Sequence, residues 1–161
     1  MSFFDRFKKP GGPRIDPLNT EAAAPMAAIH AASFARPWST LDFERLLGER
    51  GVIGDGLFLG AGTKPAGFVL SRMVLDEAEI LTVAIAPEVR GKGLSIPLLE
   101  RHLDELSRRG IRTVHLEVEE ENHPALALYR RFGFTQTGRR EGYYQKPDGS
   151  RVAALTMALA L

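Results

Sequence analysis

The sequence predicts an α/β protein of the α+β kind, and three observations predict it. Two segments with helical spacing come first, and a block of period-two, β-rich runs follows. Strand and helix signals then alternate through the C-terminal half, which closes on a pair of strands. Finally, 161 residues hold one domain with a proper core and leave little room for a second.

Residues 1–13 read as an N-terminal appendage. Phe3, Phe4 and Phe7 mix with Arg6, Lys8 and Lys9, and "PGGPRIDP" is too rich in breakers for a long element. The aromatic residues either pack on the domain or touch a membrane surface or partner. The domain proper spans 14–161 and starts with a short strand from Arg14 to Asp16. An Ala-rich helix from Glu21 to Phe34 carries Met26 and Ile29 on one side and stops before "ARPWS". Ser39 or Thr40 caps a second helix running to Leu47, with Leu41, Phe43, Leu46 and Leu47 as its apolar content. After "GERGVIGDG" the runs "LFLGA", "AGFVLSRMV" and "AEILTVAIA" predict an antiparallel meander.

Helical spacing returns from Leu94 to Arg109, with Leu94, Leu98, Leu99, Leu103 and Leu106 on one face and Pro97 confined to the first turn. Gly110 closes that helix, and "TVHLEV" is a strand. Pro124 to Phe132 form a short helix ended by Gly133, and the last strands run near Thr135–Tyr143 and Ala153–Leu159.

Composition removes several classes of function. With 21 basic and 20 acidic side chains the formal charge is +1, so no global field recruits nucleic acid or an anionic membrane. No cysteine is present, which excludes disulfides, thiolate zinc sites and a cysteine nucleophile. His30, His102, His115 and His123 lack paired ligand spacing, so no metal is expected. No apolar stretch approaches the roughly 20 residues that span a bilayer, and "MSFFDRFKK" lacks a signal-peptide core, which points to the cytoplasm.

Two stretches carry chemistry. "RGKGLS", residues 90–95, lies between an apolar strand and a helix and is either a glycine-assisted turn or an anion cradle. It lacks the spacing of the dinucleotide fingerprint and of the Walker-type loop. In "HLEVEEENHPALALYRRFGF", residues 115–134, strand alternation sets Leu116 and Val118 on one face and His115, Glu117 and Glu119 on the other. Those acids are a polar outer face or part of a site. Ala125, Leu128 and Phe132 share a helix face with Tyr129 nearby, and the plain reading of Tyr129 is a half-buried packing residue.

Taken together, "EILTVAIAPEVRGKGLSIPLLERHLDELSRRGI", "HLEVEEEN" and "ALALYRRFGF" resemble the GNAT acetyltransferase family. Within it they are similar to the bacterial ribosomal-protein alanine N-acetyltransferase (RimI) branch, over residues 14–161. The resemblance implies an acyl-CoA N-acyltransferase fold whose mixed central sheet has about six or seven strands flanked by about four helices. It implies acetyl-CoA as cofactor, with coenzyme A released, and a protein N-terminus, such as that of a ribosomal protein beginning with alanine, as acceptor.

An α-amino group has a pKa of roughly 8 and attacks a thioester only when neutral, so it must shed a proton, which a carboxylate near the acetyl group can take, directly or through a water. By resemblance that base is Glu117, and Tyr129 is the acid that protonates the departing thiolate. Backbone N–H groups of Val83, Ala84 and Ile85 would face the acetyl oxygen and the pantetheine arm. Arg90, Gly91, Lys92, Gly93, Leu94 and Ser95 correspond to the pyrophosphate cradle, Ser95 standing where the family has glycine or alanine. Asn122 corresponds to a cofactor-side contact. "RPWS" and "REGYYQKP" resemble the loops flanking the peptide site, with Trp38, Tyr143 and Tyr144 toward the substrate and Gly142 in place of the usual asparagine. Glu119, Glu120 and Glu121 replace a basic and small run, and either attract a positive N-terminus or form a solvated loop. Alternatives within the resemblance are a lysine or small-molecule amine acetyltransferase and an acyl-CoA-binding regulatory domain without turnover.

Overall fold

The computed structural model describes residues 12–161; Phe3, Phe4, Phe7 and the appendage apart from Gly12 and Pro13 lie outside the described residues. In chain order the elements are β1 (Arg14–Pro17), α1 (Ala23–Ala31), α2 (Thr40–Gly48), β2 (Val52–Phe58), β3 (Gly67–Val74), β4 (Glu77–Ile85), α3 (Ser95–Arg108), β5 (Thr113–Glu119), α4 (His123–Arg131), β6 (Thr135–Gln145) and β7 (Arg151–Ala160). The strands form one seven-stranded sheet ordered β1-β2-β3-β4-β5-β7-β6. The meander β2–β3–β4 is antiparallel as expected, and α3 is the crossover that makes β4 and β5 parallel.

Neighbouring residues of β3 show how the sheet is covered. Phe68 and Leu70 point to a core built with Met26 and Ile29 of α1 and Phe43 of α2. Val69 points the other way, to Leu98, Leu99, Leu103 and Leu106 of α3 and Leu126 and Tyr129 of α4. Helices therefore cover both faces, each through the apolar stripe its sequence carries. On α4 the buried positions are Leu126 and Tyr129, while Ala125, Leu128 and Phe132 flank them as partly buried residues.

Three local readings change. The helix predicted from Glu21 to Phe34 begins as a 3-10 turn at Thr20–Ala22 capped by Asn19, and its α-helical part ends at Ala31. The Ser33 hydroxyl donates to the Ile29 carbonyl at 2.7 Å and the Phe34 N–H to the His30 carbonyl at 3.0 Å, which closes the last turn. The second change is β2, which covers Val52–Phe58 rather than "LFLGA". Its first half reads as punctuation, yet Gly54 and Gly56 leave room for Leu70 and Leu18, whose side-chain atoms lie 2.4 and 2.5 Å from where a Cβ would stand. The third is the polar residue between those glycines. Asp55 accepts a hydrogen bond from His102 Nδ1 of α3 at 2.7 Å, and His102 Nε2 pairs with the Ser71 hydroxyl of β3 at 2.7 Å, all three groups buried.

Candidate active site

A bulge creates the cleft. Along β3 and β4 the register passes from Leu70 opposite Thr82 to Ser71 opposite Ile80, so Leu81 is the extra residue. Parallel pairing of β4 with β5 ends at the same level, at Ile80 opposite Leu116, and from Leu81 onward β4 leaves β5. The opening is a cleft of about 710 Å³ with Ile80 to Val83 on one wall and Leu116 to Glu119 on the other.

This cleft gathers Glu117 and Glu119 of β5, Asn122 just before α4, Tyr129 of α4, Tyr143 and Tyr144 of β6, and Trp38 of the α1–α2 loop. Glu117 is exposed on the polar face of β5. Tyr129 is buried and packs edge-on against Phe134 at 5.7 Å, and burial, with Tyr144 nearby, pushes its phenol up to about 12. It is therefore a neutral O–H across the physiological range. Tyr144 is also raised, by burial first and then by the negative fields of Glu117, Tyr143 and Glu119, so the two tyrosines and the two carboxylates share one electrostatic neighbourhood. Asn122 caps α4, its side chain accepting the Ala125 N–H at 3.3 Å.

The α1–α2 loop is held by a residue that sequence reasoning missed. His30 Nδ1 accepts the Trp38 N–H at 3.0 Å, and its ring stacks on Trp38 with centroids 4.9 Å apart. Burial lowers the His30 pKa to about 4, so the imidazole is neutral. Nothing in the sequence marks this histidine, because its partners come from the following loop and from α2. Arg36 donates to the Gln145 side chain of β6 at 3.4 Å, which brings the two flanking loops together across the cleft.

Ala84, Ile85 and residues 90–95 lie outside the lining of this cleft, where β4 runs on into α3. Gly91 and Gly93 have φ of +78° and +70°, conformations that side chains resist. A Cβ on either would meet no atom of the described residues within 4 Å, so the loop presents an open face. Among the described residues no side chain caps α3, and Ser95 is its first residue. An open, left-handed glycine loop ahead of an uncapped helix suits the phosphates of a cofactor. The Arg90 side chain turns away, its Nε donating to the Ile85 carbonyl at 2.9 Å and its guanidinium to the Ser33 hydroxyl at 2.8 Å.

The sequence profile of the acetyltransferase (GNAT) family matches residues 23–134. The chain belongs to the GNAT acetyltransferase family. It is 37% identical over 147 residues to the [ribosomal protein bS18]-alanine N-acetyltransferase of Escherichia coli K12, covering 91% of this chain and 97% of that protein. Its fold overlays the crystal structure of the ribosomal-protein-S18-alanine N-acetyltransferase from Escherichia coli with a TM-score of 0.84, at 36% identity and over 92% and 93% of the two chains. Arabidopsis thaliana NAA60 in complex with acetyl-CoA shares the fold, with a TM-score of 0.80 at 19% identity over 92% and 98% of the chains. As a member of the GNAT acetyltransferase family the enzyme takes acetyl-CoA as its acyl donor, and the open glycine loop fits that ligand.

Two departures from the pattern of the ribosomal-protein alanine N-acetyltransferase branch acquire physical accounts. Gly142 has a φ of +58° within the irregular pairing of Arg140 to Tyr144, a left-handed site that glycine and asparagine both accept. The acidic run is largely neutralised. Glu120 pairs with Arg139 through two contacts of 2.9 Å, and Glu121 pairs with Lys146. Glu119 is the member that lines the cleft.

Proposed function

We infer that the acceptor is the α-amino group of a protein N-terminus, alanine first, of the kind that the Escherichia coli relative's name assigns to ribosomal protein bS18. The observation that carries this reading is the convergence of Glu117, Tyr129, Tyr143, Tyr144 and Trp38 on one cleft between the diverging strands β4 and β5. Its two flanking segments meet through the Arg36–Gln145 hydrogen bond, on the side where a chain end would enter.

Acetyl-CoA supplies an acetyl group activated as a thioester. Val83, Ala84 and Ile85 belong to the stretch of β4 that β5 no longer pairs, and its backbone N–H groups stabilise charge on the acetyl oxygen. Glu117, directly or through a water, takes the proton that the amine sheds as the new C–N bond forms. Tyr129, neutral and buried, donates its proton to sulfur as the C–S bond breaks. Gly91, Lys92, Gly93, Leu94 and Ser95 hold the pyrophosphate through backbone amides, Lys92 adds charge, and Arg90 braces the loop against Ser33. Asn122 orients the start of α4 beside the cofactor. Trp38, Glu119, Tyr143 and Tyr144 wall the acceptor side. On this reading residues 14–161 act as one catalytic domain, working in the cytoplasm where ribosomal proteins are made.

The test is a peptide panel differing in the first residue, incubated with acetyl-CoA and read by mass spectrometry. Acetylation is expected at the α-amine and strongest for alanine. Modification confined to internal lysines or small amines would overturn the acceptor assignment and leave the family membership intact.

A further inference from the structure

Two polar groups on the α1 side of the cleft have no partner among the described residues. The Thr82 hydroxyl is buried, the residue being 5% exposed, and it hydrogen-bonds to nothing among the described residues. A buried hydroxyl left unpaired is destabilising, and such groups call for a ligand or an ordered water. His30, 3% exposed, lines the same cleft from the last turn of α1. Because its Nδ1 accepts the Trp38 N–H, the neutral ring carries its proton on Nε2. Among the described residues no protein group accepts that proton.

Both groups stand beside the point where β4 leaves β5. Thr82 follows the bulged Leu81 directly, and α1 packs over this part of the sheet through Met26 and Ile29. A hydroxyl and an N–H without partners among the described residues, carried by two residues that line one cleft, match an oxygen with two lone pairs to offer. A peptide α-amine carries such an oxygen on the neighbouring carbonyl carbon, whereas a lysine ε-amine is followed by methylenes.

We propose that His30 and Thr82 form a two-donor subsite for the carbonyl oxygen of the acceptor's first residue, which selects α-amines over ε-amines. The subsite rests on the acceptor assignment made above. It also gives the His30–Trp38 contact a purpose, since that contact sets which ring nitrogen carries the proton.

The experiment compares an alanine-initiated peptide with the same peptide in which sulfur, a weaker acceptor, replaces the first carbonyl oxygen. Wild type is expected to lose about tenfold in kcat/KM on the sulfur peptide. Thr82→Val should lose about tenfold on the oxygen peptide and separate the two peptides by less than about threefold, because the bond is already gone. Thr82→Ser should restore both values. His30→Asn, which retains an acceptor for the Trp38 N–H but withdraws the Nε2 donor, should behave like Thr82→Val. Acetyl-CoA affinity, read by calorimetry, should stay within about twofold of wild type throughout.

Equal oxygen-to-sulfur ratios in wild type and Thr82→Val would overturn the subsite in favour of a bound water, with the α-amine assignment standing. A fall in acetyl-CoA affinity that matches the fall in peptide rate would overturn it in favour of a structural role. Acetylation of ε-amines alone by wild type would overturn the α-amine assignment, and the subsite with it.

Discussion

Tyr129 illustrates how one environment sets two properties. The packing of α4 on the sheet that buries the ring also pushes its phenol up to about 12, which keeps the proton available for donation at neutral pH. Tyr129→Phe preserves the contact with Phe134 and removes the proton. It should lower kcat by about 10²-fold or more while the KM for acetyl-CoA stays within about twofold, measured by steady-state kinetics. His30 shows the same physics with the opposite sign. Its folded pKa is about 4 against an ordinary value of 6.5, so between these values the unfolded chain binds the proton and the folded protein does not. The stability contribution of His30 is therefore present above about pH 6.5 and is lost as pH falls toward 4. Denaturant midpoints recorded across that window should decline in wild type and decline less in His30→Asn.

At the scale of elements, the loop from β4 to α3 depends on backbone that only glycine adopts readily. Gly93 has a φ of +70° and open space where a Cβ would stand, so Gly93→Ala costs conformational strain of about 1–2 kcal/mol without a clash inside the protein. The added methyl also projects from the face assigned to phosphates. Calorimetry should therefore show acetyl-CoA binding weakened by about tenfold or more, with a modest fall in Tm. The sequence made this loop visible because two glycines between a strand and a helix are a local signal. It hid β2 for the converse reason. Val52–Phe58 contains two glycines and an aspartate, residues that mark turns when read locally, and their strand role comes from Leu18, Leu70 and His102, which approach from elsewhere in the chain.

At the scale of the whole molecule, α3 is fastened to the sheet by more than its leucine face. His102 links Asp55 of β2 to Ser71 of β3, next to the register shift that accompanies the divergence of β4. His102→Leu would leave a buried carboxylate and a buried hydroxyl unpaired, and should destabilise the protein by about 3 kcal/mol or more in equilibrium unfolding. The same long-range logic separates what was legible from what was not. The order of helices and strands, the apolar face of α3, the glycine loop and the alternation around Glu117 depend on neighbours within one or two turns or along one strand, so the sequence alone determined them. The sequence motifs also carried the family. Tertiary structure decided that β4 parts from β5 at Leu81, that Arg139 and Lys146 occupy Glu120 and Glu121 and leave Glu119 on the cleft, and that His30 and Thr82 line it, the Thr82 hydroxyl without a partner among the described residues. Each of these arises from groups far apart in the chain, and burial, pairing and field exist only once folding brings them together.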